Sequence, residues 1–233
     1  MMLAKSGYDI IAVARRRELL ESLASELQAF GAETRVVVAD LSTSAGVQSV
    51  IDAACDVDFL VLNAGITRAA RVGTTSSDEI AKLNTLLATG VVEVCEAIVP
   101  RMVQRKNGDV VIVSSIAAFI PMPKSALYAA AKTYVMSYGR SLNLEARDSG
   151  VRVCVVCPGY VRTELHQQAG LAHLRKRVPK WLWINSEDVV HASLGGLRKN
   201  KSIVVPGLVY RVARPFLGAR IAQAIWGRTT KRK

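Results

Sequence analysis

The sequence predicts an α/β protein built on a doubly wound parallel sheet in three layers, α/β/α, and three observations point there. Apolar runs of strand length alternate with longer stretches of helical periodicity along most of the chain. The runs are continuous rather than alternating apolar and polar, as strands covered on both faces require. A chain of 233 residues, 50% of them apolar, has the size of one domain with a sizeable core.

Taken in order, strands are expected near 8–14, 35–39, 58–62, 109–114, 151–156 and 202–205. Helices are expected near 16–30, 43–54, 76–106, 125–149 and 186–199. Ser186-Glu187-Asp188 reads as an N-cap with first-turn acids that starts the last of these. The stretch 162–184 is the longest without a strand–helix unit; it mixes Leu165, Leu171, Leu174, Trp181 and Trp183 with Arg175, Lys176, Arg177 and Lys180. No repeat or low-complexity segment interrupts the single domain, and no run of eighteen apolar residues calls for a membrane span. No secretory signal is read at the N-terminus.

The formal net charge of +12 is concentrated at one end. No acidic residue follows Asp188, whereas ten Lys and Arg lie between Arg198 and Lys233. In the tail, 207–233, these alternate with apolar residues as in short amphipathic helices split at Pro215. A helix packed on the domain fits this pattern, and so does contact with an anionic membrane surface. No recognised nucleic-acid-binding motif accompanies the charge, so nucleic acid is not expected as a partner. Cys154-x-x-Cys157 has redox or zinc spacing, but residues three apart on a strand point to opposite faces and no second Cys/His pair completes a set. The four cysteines are therefore read as structural thiols of a reducing cytosol. His166, His173 and His191 have no metal-ligand spacing, and no metal is expected.

The chemistry-bearing group is Tyr128, followed one helical turn later by Lys132, with Ser115 upstream at the end of the run 109–114. The i, i+4 spacing puts phenol and ammonium on one helix face. A phenol loses its proton near pH ~10, too high for efficient acid–base work at neutral pH, and a neighbouring Lys⁺ favours the phenolate. Ser115 at a strand end can reach the same oxygen. A Tyr-x-x-x-Lys pair alone is common on solvated helix faces, so its company matters. Asn63-Ala64-Gly65 follows the strand near 58–62, Asn84 lies in the next helix, Pro158-Gly159 follows 151–156, and Asp40-Leu41 ends 35–39.

In these six ordered motifs, from about Leu3 to Pro206, the chain resembles the short-chain dehydrogenase/reductase family, in its Tyr-x-x-x-Lys branch. The resemblance implies a one-domain Rossmann-type fold and an NAD(P)-dependent oxidoreductase. It implies that Tyr128 exchanges a proton with a carbonyl or alcohol. Lys132 would lower the Tyr128 pKa and bind the nicotinamide ribose. Ser115, with Ser114 the less favoured neighbour, would hydrogen-bond the reacting oxygen, and Asn84 would hold a helix kink and a proton-relaying water. It places Asp40 and Leu41 at the adenine, Asn63, Ala64 and Gly65 on the adenosine ribose side, and Pro158, Gly159, Val161 and Thr163 along the cofactor. The stretch 162–184 would be the flap over a small-molecule substrate, and a cytoplasmic homo-oligomer is implied. At the end of the first strand, where an acid often serves the NAD ribose, stand Ala14-Arg15-Arg16-Arg17. A guanidinium there attracts a 2′-phosphate, so NADP(H) is expected over NAD(H), with Arg15 the first contact and Arg16 the second. The mixture of apolar and basic residues in flap and tail points to an apolar or amphipathic substrate, walled by Trp181 and Trp183.

The family opens with a strand and a Thr-Gly-x-x-x-Gly-x-Gly turn, and neither is found here. Leu3–Ser6 looks like the last turn of the helix that follows that turn, with Gly7 as its cap. Gly195-Gly196, in a late helix, is a poor substitute. The expectation is that Met1 is internal to a longer protein or, alternatively, that the chain is truncated, with impaired folding and cofactor binding. A non-catalytic binding or interaction protein is the second functional reading that this gap leaves open.

Overall fold

The computed structural model of the protein describes residues 1–67, 69–163 and 178–217. Its strands are β1 (Ile10–Ala14), β2 (Thr34–Val38), β3 (Phe59–Leu62), β4 (Gly108–Val113), β5 (Val151–Val156), β6 (Tyr160–Val161), β7 (Trp183–Ile184) and β8 (Ile203–Val204). Its α-helices are α1 (Met2–Lys5), α2 (Arg17–Gln28), α3 (Ser44–Ala53), α4 (Ser77–Asn84), α5 (Gly90–Arg105), α6 (Ala126–Ala146), α7 (Ser186–Arg198) and α8 (Leu208–Ala213). Each expected strand, and each expected helix except that at 76–106, is present as one element with its ends shifted by at most a few residues.

The Val-rich runs become strands because β-branched side chains fit a pleated surface buried on both sides. β5 pairs in parallel with β4 over six residues, Gly108↔Val151 to Val113↔Val156. Val110, Ile112, Val153 and Val155 are wholly enclosed. α6 lies close against this pair because Gly139 lets it: a Cβ there would meet Val155 Cγ2 at 2.5 Å and Ile112 Cδ1 at 2.8 Å.

Two expectations are corrected. The helix expected at 76–106 is three pieces: α4, started by a Ser76–Glu79 capping box, a π-helical turn over Thr85–Thr89, and α5. Gly90, whose added Cβ would meet Val47 Cγ2 at 2.8 Å, lets α5 pack tightly on α3 after that wide turn. And α7 is capped by Asn185, not Ser186, through a box with Asp188.

The sheet is parallel throughout but divided. β1–β2 form one sheet, β3–β4–β5–β8 a second, and β6–β7 a small third. Strands β1 and β3 line opposite parts of one cavity of about 1680 Å³, and among the described residues no strand pairs with the free edge of either. Tyr8, just ahead of β1, meets Phe59, at the start of β3, edge to face at 5.9 Å, so both strands leave the same end of the molecule. The central gap that the resemblance implies is thus an open slot. Val61, in the middle of β3, is 46% exposed because of it. The main core fills the β3–β4–β5 side; a smaller cluster of Ala4, Leu27 and Ala32 supports β1–β2.

Candidate active site

Strand β4 ends at Val113, and the chain turns so that Ser115 caps a 3₁₀ turn, Ile116–Phe119, its Oγ accepting from the Ala117 N–H at 3.1 Å. Ser114, the neighbour, is committed elsewhere: its Oγ donates to the Lys132 carbonyl at 2.7 Å and ties α6 to the strand end. Both serines are buried. Tyr128 and Lys132 lie one turn apart on α6, with the Lys132 Nζ 5.9 Å from the centre of the Tyr128 ring. Ser115, Tyr128 and Lys132 all line the large cavity, so the expected trio does converge on one space.

Lys132 is 5% exposed, and its Nζ donates to the Val113 carbonyl at 2.9 Å. Burial pulls its pKa down from 10.5 to about 8, because an ammonium loses solvation there. It remains protonated at neutral pH. The Cys157 thiol nearby offers no counter-charge, since burial pushes its own pKa up to about 12. A cation held with one carbonyl partner beside a phenol is the arrangement that favours the phenolate. Gly65 lies beside this ammonium: a Cβ there would come to 3.8 Å from Lys132 Nζ, an ordinary contact, and to 3.3 Å from Leu87 Cδ2.

The expected cofactor residues surround the same cavity. Arg15, Arg16, Asp40 and Leu41 line it beyond the ends of β1 and β2; Asn63, Ala64 and Gly65 line it after β3. Pro158, Gly159, Val161 and Thr163 line it after β5. These are carboxyl ends of parallel strands, where doubly wound sheets bind ligands. Asp40 is well placed to stay ionised: Ser42 donates to its Oδ1 from N–H and Oγ, at 3.0 and 2.8 Å. Those hydrogen bonds lower its pKa, with a smaller contribution from the Arg15 charge.

Asn84 is brought to the junction of α4 with the π turn, but it is exposed and lines neither cavity described here. Trp181 and Trp183 line neither. Trp181 is largely exposed, and Trp183 packs on Tyr160 at 5.3 Å and donates from Nε1 to the Val178 carbonyl at 3.4 Å. Most of the expected flap, 164–177, and most of the tail, 218–233, lie outside the described residues. Cys154 and Cys157 are free and buried, and among the described residues no cluster could hold a metal. Gly195-Gly196 lies inside α7, where a Cβ added at Gly196 would meet Val204 Cγ2 at 2.5 Å. Sequence reasoning missed Ile66, which lines both cavities beside Tyr128, and Tyr210, which reaches the site from α8.

The adenosine and nicotinamide sides of a dinucleotide therefore fit: two guanidiniums, a hydrogen-bonded carboxylate, a backbone turn without side-chain bulk at Gly65, and a buried ammonium. Its pyrophosphate finds no glycine-rich turn at a helix N-terminus among the described residues.

Comparison with known proteins agrees with this geometry. The family model for the short chain dehydrogenases matches residues 1–173. The chain is 31% identical over 169 residues to an uncharacterized oxidoreductase of Myxococcus xanthus (strain DK1622), covering 71% of this chain and 67% of that protein. It is 34% identical over 167 residues to oxidoreductase UcpA of Escherichia coli (strain K12), covering 70% and 63%. Its fold superposes on a short-chain dehydrogenase from Sphingobium yanoikuyae, solved in complex with NADPH, with a TM-score of 0.83, 27% identity, and coverage of 100% and 89% of the two chains. The chain belongs to the short-chain dehydrogenase/reductase family, and it spans about two thirds of the length of these curated relatives.

Proposed function

We propose that the protein interconverts a carbonyl and an alcohol with NADP(H), on an apolar or amphipathic small molecule. The observation that carries this reading is the buried Lys132 ammonium beside Tyr128, facing the same cavity as Ser115. Arg15, Arg16, Asp40 and Leu41 would hold the adenosine end, Asn63, Ala64 and Gly65 the middle, and Lys132 with Pro158, Gly159, Val161 and Thr163 the nicotinamide end. The bound cofactor supplies or accepts the hydride. Ser115 Oγ donates to the substrate oxygen and orients it. Tyr128 gives that oxygen a proton in reduction or takes one in oxidation. Lys132, charged below about pH 8, stabilises the phenolate left behind. Asn84, at the start of the π turn, would order the water that returns a proton toward Lys132. NADPH oxidation followed against a panel of ketones and aldehydes tests the reading. Turnover with NADH alone, or only with small polar ketones, removes the cofactor or the substrate assignment.

An anionic lipid surface fits the C-terminal end. Leu208 and Val212, one turn apart on α8, and Phe216 beyond them are 70%, 63% and 65% exposed, next to Arg211 and Arg214. Apolar area plus basic charge is what an interfacial helix presents. Among the described residues no helix is long and apolar enough to cross a membrane. Co-sedimentation with phosphatidylcholine vesicles, with and without phosphatidylserine, should show binding that needs the anionic lipid and fades with salt. Equal binding to both, or none, removes this part. Exposed Tyr134 and Leu144 on α6 support a homo-oligomer, which sedimentation checks, and the free cysteines suit a reducing cytoplasm.

The open slot favours a second reading, a cofactor-deficient binding or interaction protein. Calorimetry with NADPH separates the two.

A further inference from the structure

Tyr210 lies on α8, fifty residues beyond Tyr160, and it is 3% exposed. Its hydroxyl makes two hydrogen bonds to backbone. It accepts from the Tyr160 N–H at 3.1 Å and donates to the Leu182 carbonyl at 2.6 Å. Its ring rests where a side chain at Gly159 would be, so any Cβ there would strike it. On another side is Gly207, which starts α8 with φ +85°, and whose added Cβ would come within 3.2 Å of both Tyr210 Cδ2 and Ile184 Cγ2.

The residues that this one side chain joins are the two ends of the flap. Tyr160 and Val161 leave the cavity wall as β6; Trp183 and Ile184 return as β7 and pair with them in parallel. The Arg162 N–H continues the ladder to the Ile184 carbonyl at 3.0 Å. Leu182 is the last residue before the return strand. Gly159 and Tyr160 also line the cavity at what the proposed function makes its nicotinamide end.

We propose that Tyr210 is a positioning residue: through its hydroxyl it clasps the Gly159–Tyr160 turn to Leu182, so the stem of the flap and the cofactor-facing turn keep one geometry set by α8. The positioning role rests on the proposed oxidoreductase reading; the clasp itself does not. Among the described residues the hydroxyl has these two partners, and a phenylalanine would fill the same space without joining the two segments. Removing it takes away the hydrogen bond that the Tyr160 N–H donates and the one that the Leu182 carbonyl accepts, in a largely enclosed place, which favours local opening over the closed stem.

The test is amide hydrogen exchange on the full chain, wild type against Tyr210→Phe, with steady-state kinetics on both. Exchange at the Tyr160 amide and across 178–184 should rise at least tenfold in the variant, with β4 and β5 unchanged. KM for the carbonyl substrate should rise several-fold while kcat stays within about twofold. Gly159→Ala, which must displace the ring from the other side, should reproduce the exchange pattern. Exchange at these amides equal to wild type overturns the clasp. A uniform rise that includes β4 and β5 also overturns it, since the hydroxyl would then serve global stability alone. Local opening with unchanged KM overturns the positioning role and leaves the clasp. A wild type that turns over no carbonyl compound removes the functional reading, and exchange alone then decides the clasp.

Discussion

On one side of the cavity, β4 and β5 pair over six residues, and their inward side chains are wholly enclosed. Even their polar members are matched: Arg152 grips Asp109 with two hydrogen bonds of 2.6 and 2.7 Å, and Ser114 bonds the Lys132 carbonyl. On the other side, β1 and β2 pair over five residues that are mostly half-buried, Val38 is exposed, and Thr34 Oγ1 is buried with no hydrogen-bond partner among the described residues. The proton-handling residues all belong to the first wall, while Arg15, Arg16, Asp40 and Leu41 belong to the second. The contrast teaches that the acid–base trio is held by a core sufficient in itself, whereas the adenosine side depends on whatever occupies the slot between β1 and β3.

The sharpest way to break this contrast is at Tyr128. Tyr128→Phe keeps the ring against Leu87 and Ala131 and deletes only the proton donor. Turnover should fall about 10²–10⁴-fold, the usual worth of a general acid–base group, with cofactor affinity unchanged. A variant that keeps more than about a tenth of wild-type kcat would show that the chemistry is not at this residue.

The second wall is challenged by asking the 233-residue polypeptide to bind NADPH. With open edges on β1 and β3 and no phosphate-cradling turn described, affinity should be weaker than micromolar. The polypeptide should be poorly soluble, because open strand edges pair with other chains. Amide exchange should be much faster in β1–β2 than in β4–β5. Micromolar binding by calorimetry would mean that another segment cradles the pyrophosphate.

The first wall was the more legible in the sequence, for the same physical reasons that make it solid. Strands buried on both faces announce themselves as continuous Val and Ile runs, so β4 and β5 were placed to within a residue. The Tyr128–Lys132 spacing is local, set by one helical turn. What escaped depends on contacts between distant residues. The π turn after Asn84 goes with the close approach of Gly90 to Val47, and nothing in 85–89 signals it. Trp181 and Trp183 are expected as substrate walls from their place in the flap; that Trp183 lies tilted against Tyr160 is visible only in the fold. Tyr210 and Tyr160 meet across fifty residues, and neither carries a local mark of the other.

A third experiment measures what the first wall gives up to hold its cation. Between about pH 8 and 10.5 the unfolded chain carries the Lys132 proton and the folded one does not, so this group makes stability rise with pH across that window. Below about 8 its burial cost is present in full. Lys132→Met should therefore raise stability at pH 7, by roughly 1–2 kcal/mol once the orphaned Val113 carbonyl is counted against the relieved burial. The rise in stability from pH 8 to 10 should flatten, and turnover should collapse. Denaturant unfolding at several pH values reads the first two. A variant less stable than wild type at pH 7 would mean that the ammonium is a net contributor to the fold.

The smallest effect is expected on the second wall, at Arg15. This guanidinium is exposed, and its charge already acts on the Asp40 carboxylate, which Ser42 keeps ionised. A 2′-phosphate must compete with that carboxylate and with water for it, so an exposed charge–charge contact is worth little. Arg15→Ala should weaken NADPH binding by only about three- to tenfold and leave NADH binding unaltered, and the difference should shrink as salt rises. The neighbouring arginines add a control. Arg16 and Arg17 stand at the start of α2, where a positive charge opposes the helix dipole, and Arg16 caps nothing. Arg16→Ser should therefore stabilise the helix slightly, on the order of 0.5–1 kcal/mol, while still costing some NADPH affinity. A charge kept at such a position only for the surface would yield the stability gain with no change in cofactor preference. Equal losses of NADPH and NADH affinity in Arg15→Ala would mean that Arg15 braces the strand end and does not read the phosphate.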